Sequence, residues 1–146
     1  MSRWRAGSRQ RGSAALEMAV VMPLFVALFT TAVVLGRTGN AISAVEMAAY
    51  DGARTASLAR DAGTARAQAV ATVNRSLAGQ GFSCVGEPTV QVDVSEFSLP
   101  LGTPASVTVT VTCRVTYADI DLLGVPADRR ITASFVSPLD QYRIRR

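Results

Sequence analysis

A chain of 146 residues has room for one membrane segment and one small domain. It contains no His and only two Cys, which excludes the commonest general base and metal ligand and any four-thiolate metal cluster. The net charge of +4 comes largely from Arg residues at the two ends of the chain: Arg3, Arg5, Arg9, Arg11, Arg143, Arg145 and Arg146. This distribution fits membrane topology better than a basic face for nucleic acid.

Residues 13–36 form the most apolar stretch, SAALEMAVVMPLFVALFTTAVVLG, with Glu17 as its single charge. As a helix it would be roughly 36 Å long, enough to cross a hydrocarbon core of about 30 Å. A cleaved secretory signal has a shorter apolar core followed by a small-x-small cleavage site. The pattern therefore favours a retained transmembrane anchor, with a removed signal as the alternative.

The charges on either side of this span predict its orientation. Four Arg precede it, whereas only Arg37 follows it closely. The positive-inside rule then makes residues 1–12 a basic cytoplasmic leader and places everything after the 13–36 span outside the cell. Pro23 lies within the span, where a membrane helix tolerates it as a kink.

Glu17 is the unusual residue of the span, because acidic side chains inside a membrane are costly and frequently functional. One interpretation is that Glu17 marks the cytoplasmic interface near Arg11. The other is that it has a specific partner. Composition alone leaves both open.

The residues around Glu17 carry a resemblance to a known family. Gly12 stands directly before the apolar run and Glu17 is the fifth residue after it, in RGSAALEMAVVMPLF. This pattern resembles the processing site of type IV prepilins, which a membrane-embedded aspartic peptidase cuts after Gly. It is more closely similar to the opening of TadE-like proteins, the minor pseudopilins of tight-adherence (Flp-type) pilus systems. A second feature of that family, a helical stretch ending in Ala, Gly, Ala and Arg, is matched at 48–54 by AAYDGAR.

The resemblance implies a set of roles and partners. Gly12 and Ser13 would form a prepilin-type processing site, and Glu17 would act in subunit assembly. Cleavage after Gly12 would free an α-amino group on Ser13, a cation that a carboxylate of a neighbouring helix could pair with. Met18 departs from the aromatic residue common at this position, so cleavage is left open. The implied partners are other pilins, inner-membrane pilus assembly proteins, membrane lipid and a prepilin peptidase.

Residues 37–80 are predicted to be an extracytoplasmic helical region. A stripe of small and apolar residues at helical spacing predicts its buried face: Ile42, Val45, Ala49, Gly52, Ala53 and Ala56. Gly63 is expected to break the helix, and Val70, Val73 and Leu77 indicate a second helical piece that ends at Gly79. Gly52-Ala53-Arg54 indicates either tight helix packing with a solvated Arg or a specific contact.

Residues 81–146 change to a period of two and predict a small β-sheet domain. Val and Thr alternate over 107–116, a shorter alternation surrounds Val90–Val94, and Ile131, Ala133 and Phe135 predict a third strand. Together with the helices this gives an α+β, pilin-like fold in which a helix packs on an antiparallel sheet of three strands. Cys84 precedes the first strand and Cys113 lies on the Val face of the second. Outside the membrane we expect a disulfide between them, with two separate buried thiols as the alternative.

Three classes of function remain from the sequence. The first is a minor pseudopilin or pilus-assembly component, non-enzymatic and without a cofactor. The second is a membrane-anchored binding or envelope module unrelated to pili. The third, an enzyme, is disfavoured because no nucleophile is visibly paired with a base and no phosphate loop is present.

Overall fold

The computed structural model describes residues 9–81, 83–116 and 128–142 of the chain. Its elements are α1 (Arg9–Ser57), α2 (Ala62–Gly79), β1 (Thr89–Asp93), a short 3-10 helix (Ser95–Ser98), β2 (Ser106–Thr116) and β3 (Asp128–Pro138). The α+β class predicted from the sequence is confirmed. The chain divides into two compact units between Gly39 and Asn40, and each is described by itself.

The first unit contains the N-terminal part of α1. From residue 14 to residue 29 every side chain is exposed, although most are apolar. A helix with apolar residues on all its faces is suited to lipid rather than to one side of a soluble core. By length and composition this is the one helix in the described part of the chain that qualifies as a membrane span, so it is a candidate single-pass anchor.

The second unit is built on a three-stranded antiparallel sheet with the order β1-β2-β3. The predicted alternation is confirmed on β2, where five residues point into the core and are almost fully buried: Val107, Val109, Val111, Cys113 and Val115. On the other face the hydroxyl oxygens of Thr110 and Ser134 lie 3.0 Å apart, as do those of Thr112 and Thr132. The sheet therefore has one apolar face and one face of hydroxyl pairs across neighbouring strands.

Both helices contribute small residues to the core above this sheet. The predicted stripe is confirmed at Val45, Ala49, Ala53 and Ala56 but is wrong at Ile42, which is 40% exposed. Val70 of the second helix is likewise 38% exposed. Three further residues of α1 are buried instead, and all are alanines: Ala41, Ala44 and Ala48. Residue size, rather than hydrophobicity, decides which face of α1 points inward.

The break between the helices lies before the predicted Gly63. α1 ends at Ser57, and Asp61 caps α2 by accepting a hydrogen bond from the Thr64 backbone N–H at 2.7 Å. This hydrogen bonding with Thr64 lowers the pKa of Asp61. An N-cap acid supplies the partner that the first helical N–H groups lack, so the capping residue sets the boundary and Gly63 falls inside the first turn.

Candidate subunit-assembly site

The residues expected to be processed and to assemble subunits lie near the start of α1. The Gly12–Ser13 bond is within the helix, although the side chains of both residues lie outside the described ones. Glu17 is exposed and follows Ser13 by four residues. One helical turn therefore separates Glu17 from Ser13, and the two lie on the same face about 6 Å apart along the axis.

Glu17 is the sole charged residue between residues 12 and 36. The nearest Arg with a described side chain is Arg37, which lies 20 residues further along the same helix. At 1.5 Å per residue the two are about 30 Å apart, too far for an ion pair. Among the described side chains, therefore, no cation lies within ion-pair distance of Glu17.

The described threonine hydroxyl groups in the span and just after it, in contrast, are satisfied within the helix. Thr30 and Thr31 donate to the carbonyl oxygens of Val26 and Ala27, each at 2.8 Å. Thr38 donates to the carbonyl of Val34 at 2.9 Å. Such bonds to the preceding turn let a hydroxyl enter lipid without an unmet donor. Glu17 is therefore the described side chain of the span that most needs a partner from elsewhere.

The second family-like motif, residues 48–54, lies where α1, α2 and β2 meet. A Cβ atom on Gly52 would come within 2.8 Å of Cγ2 of Val73 and 3.3 Å of Cγ1 of Val109. The carbonyl oxygen of Ala69 would be 3.6 Å away. Only a residue without a side chain lets these three elements approach so closely. Of the two interpretations of Gly52-Ala53-Arg54, tight packing is the one this geometry supports, and Arg54 is exposed.

A polar contact also fixes the same motif to α2. The Ser76 hydroxyl donates to Oδ2 of Asp51 at 2.7 Å. Within α1 itself, the Thr55 hydroxyl donates to the Asp51 carbonyl at 2.8 Å. The motif therefore orients two helices through one glycine contact and one carboxylate.

The two cysteines are joined in the structure. Cys84 and Cys113 form a disulfide with their Cα atoms 5.4 Å apart. Cys113 is fully buried on the apolar face of β2, and the neighbouring Val85 N–H donates to the Arg114 carbonyl at 2.7 Å. The bridge thus ties the segment before β1 to the central strand.

A groove between α1 and β3 was not anticipated from the sequence. Tyr50 and Phe135 meet edge to face across it, with ring centroids 4.7 Å apart. Glu46, Met47 and Ala133 line one side of this aromatic pair, and Arg54, Leu58 and Val136 line the other. The available signal was Tyr50, a large residue beside a stripe of alanines, but nothing in the sequence shows that Phe135 lies opposite it.

No group of three or more His, Cys, Asp or Glu side chains that could hold a metal ion occurs among the described residues.

Comparison with known proteins bears on the N-terminal third of the chain. No curated protein and no solved structure matches the chain significantly. The model of the family described as TadE-like protein matches residues 12–54. The matched segment begins at Gly12, contains Glu17 and the membrane-length part of α1, and ends at Arg54, the last residue of the Gly52 motif. Proteins of this family are generally non-enzymatic. A match to the family implies involvement in tight-adherence (Flp-type) pilus assembly. The TadE-like family suspected from the sequence is thus confirmed by the match over residues 12–54.

Proposed function

We propose that this chain is a minor pseudopilin or assembly component of a tight-adherence (Flp-type) pilus system, without catalytic activity of its own. The observation that carries the proposal is the placement of Glu17: one turn after the Gly12–Ser13 bond, at the start of a membrane-length apolar helix. The match to the TadE-like family over the same residues supports it.

The proposed topology follows the charge pattern. Residues 1–12 lie in the cytoplasm, 13–36 cross the membrane, and the helical region 37–80 and sheet domain 81–146 lie outside. The positive-inside rule supports this orientation, since four Arg precede the span. The Cys84–Cys113 disulfide agrees with it, because such bonds persist on the oxidising side of a membrane.

The proposed mechanism of assembly is charge pairing inside the membrane edge. A peptidase of the prepilin type would cut after Gly12 and leave Ser13 with a cationic α-amino group. Glu17 of a neighbouring helix would pair with that amine, so that each charge offsets the cost of burying the other. The pairing occurs in a low dielectric, where a mismatched neighbour would leave a charge unpaired and be rejected.

The experiment is a gene deletion in the native organism, complemented with a tagged full-length chain. We expect the deletion to reduce surface pili and the complemented strain to regain them. We also expect the tagged chain to purify from solubilised membranes together with other pilins or inner-membrane pilus proteins. Normal piliation of the deletion strain, with no pilus protein recovered with the tag, would leave the alternative of an envelope module unrelated to pili.

A further inference from the structure

The two edges of the sheet carry matching, incompletely covered rows of apolar side chains. Val90 and Val92 on β1 face the core but are only half-buried. At the other edge, Ala133 is half-buried and Phe135 is 38% exposed. In the described part of the chain, no strand pairs with the outer side of either β1 or β3.

The residues of the two rows are also in register across the sheet, with one β2 residue between each pair. Val90 pairs with Val111, which pairs with Ala133; Val92 pairs with Val109, which pairs with Phe135. A second copy placed beside the first, with no shift along the strands, would therefore bring its Val90 beside Ala133 and its Val92 beside Phe135. Its valines would meet the groove that Tyr50 and Phe135 form with Met47.

β3 carries charges at its start (Asp128, Arg129, Arg130) and a proline at its end (Pro138), but its middle lacks the features by which natural proteins protect an exposed edge. It has eleven residues, and from Ile131 to Ser137 it contains no charge, no proline and no glycine. Edge strands are commonly blocked by such residues, and an unblocked edge is a template for another strand. The described backbone hydrogen bonds of residues 129–137 go to β2 alone.

Charge selects which edge of a second copy fits. β1 and β3 both run antiparallel to β2, so they are parallel to each other and their N-terminal ends lie at the same end of the sheet. At that end β3 carries the exposed Arg129 and Arg130, whereas exposed Glu87 precedes β1. A β3 edge against another β3 edge in parallel would bring like charges together, whereas β3 against β1 brings opposite charges together.

We propose that β3 of one copy adds the β1 edge of a second copy as a parallel fourth strand. The inference rests on the proposed membrane anchoring, because anchoring brings copies of the domain together on one side of one membrane. Since the contact joins two different surfaces, each added copy leaves a free edge for the next one, which builds a ring or an open array. Backbone hydrogen bonds would supply affinity and the Tyr50–Phe135 groove would supply selectivity. β1 has only five residues, so the contact depends on the membrane concentrating the copies.

Cysteine trapping tests this arrangement with residues on the exposed sheet face. Gln91 and Ser134 flank Thr110 on one level, so within a chain they lie two strand spacings apart, about 9–10 Å, beyond disulfide reach. Between copies they would be neighbours about 4.8 Å apart, within reach. Full-length Gln91→Cys and Ser134→Cys chains carrying different tags are expressed together, and separately, in membranes that lack pilus proteins. After mild oxidation, we expect cross-linked dimers that carry both tags in the joint expression and only background in the separate ones.

Each outcome decides the proposal. Equal cross-linking of Ser134→Cys with itself would overturn it in favour of a β3–β3 contact. No mixed cross-link, with the Cys84–Cys113 bridge shown intact by peptide mapping, would also overturn it. Glu87→Arg on the Gln91→Cys chain should lower the yield several-fold, and Arg130→Glu on the Ser134→Cys chain should restore it. Because no pilus protein is present, failure here is distinguishable from failure of the proposed pilus function.

Discussion

Gly52 lies so close to Val73 that a methyl group at this position would come within 2.8 Å of Cγ2 of that valine. Gly52→Ala should therefore destabilise the domain, although alanine is the better helix former by about 1 kcal/mol. Overpacking of a filled core costs about 1–3 kcal/mol, and Val73 is fully buried, so any shift of its side chain would disturb the residues packed around it. We expect a net loss of up to about 2 kcal/mol, and more for Gly52→Leu, measured by thermal unfolding of the detergent-solubilised chain.

Gly79→Ala is the matched control for this prediction. Gly79 ends α2, and an added Cβ atom there would meet nothing within 4 Å. Its substitution should be neutral or slightly stabilising. If Gly52→Ala also raises the unfolding temperature, the close approach of α1, α2 and β2 described above does not exist.

The disulfide is expected to supply a large share of the stability of the domain. The bridge spans a sequence separation of 29 residues. Closing a loop of about 30 residues contributes roughly 3–4 kcal/mol in the chain-entropy model. Cys84→Ala isolates this effect, since it breaks the bond but leaves the buried Cys113 sulfur in place. Denaturant unfolding should show a loss of this size, and two free thiols in chain recovered from the oxidising side would contradict the bridge.

The Asp61 cap predicts a specific acid sensitivity. Hydrogen bonding lowers its pKa below the ordinary value of 3.8, so the charged form is favoured by folding. This contribution to stability is fully present above the unfolded pKa and is lost as pH falls through the folded one. Asp61→Ala should lower the unfolding temperature by a few degrees at pH 7 and reduce the loss of stability on acidification.

Asp61→Asn serves as the control for the charge of the cap. Asparagine caps a helix about as well as aspartate but does not titrate. The variant should keep most of the stability at neutral pH while losing the component of acid sensitivity that belongs to Asp61. An unchanged acid profile in both variants would show that the carboxylate does not cap α2 in solution.

The proposed topology predicts the pattern of protease protection. In spheroplasts, protease added outside should remove the part of the chain after residue 37 and spare a tagged N-terminal tail. Detergent lysis should expose the tail as well, which serves as the internal control. Recovery of the full chain as a soluble secreted form would contradict the anchor.

The strands were readable from the sequence because period-two alternation is a local signal, and Val107 to Val115 carry it without interruption. Features that depend on tertiary contact were harder to read. Ile42 fits the helical period of the buried face, yet alanines occupy the tight interface and leave it exposed. The Tyr50–Phe135 contact joins residues 85 positions apart, and no local pattern pairs them. The spacing of small residues indicated that Gly52 lies at a packed position, but only the folded structure identifies Val73 and Val109 as its neighbours.

The most direct test of the central claim is the ability of Glu17 variants to assemble pili in a complemented deletion strain. If Glu17 only marks the membrane edge, Glu17→Leu should be harmless, since it removes a carboxylate that costs up to about 2.5–3.5 kcal/mol to insert. If Glu17 pairs with a cation of a neighbouring subunit, its loss leaves that charge unmatched, at a cost of about 3–5 kcal/mol before partial solvation. The adjacent Met18→Leu is the matched control, because it exchanges one apolar side chain for another. The account predicts normal membrane levels of both variants, with pilus assembly and recovery with other pilins lost only for Glu17→Leu; normal assembly by Glu17→Leu would contradict it.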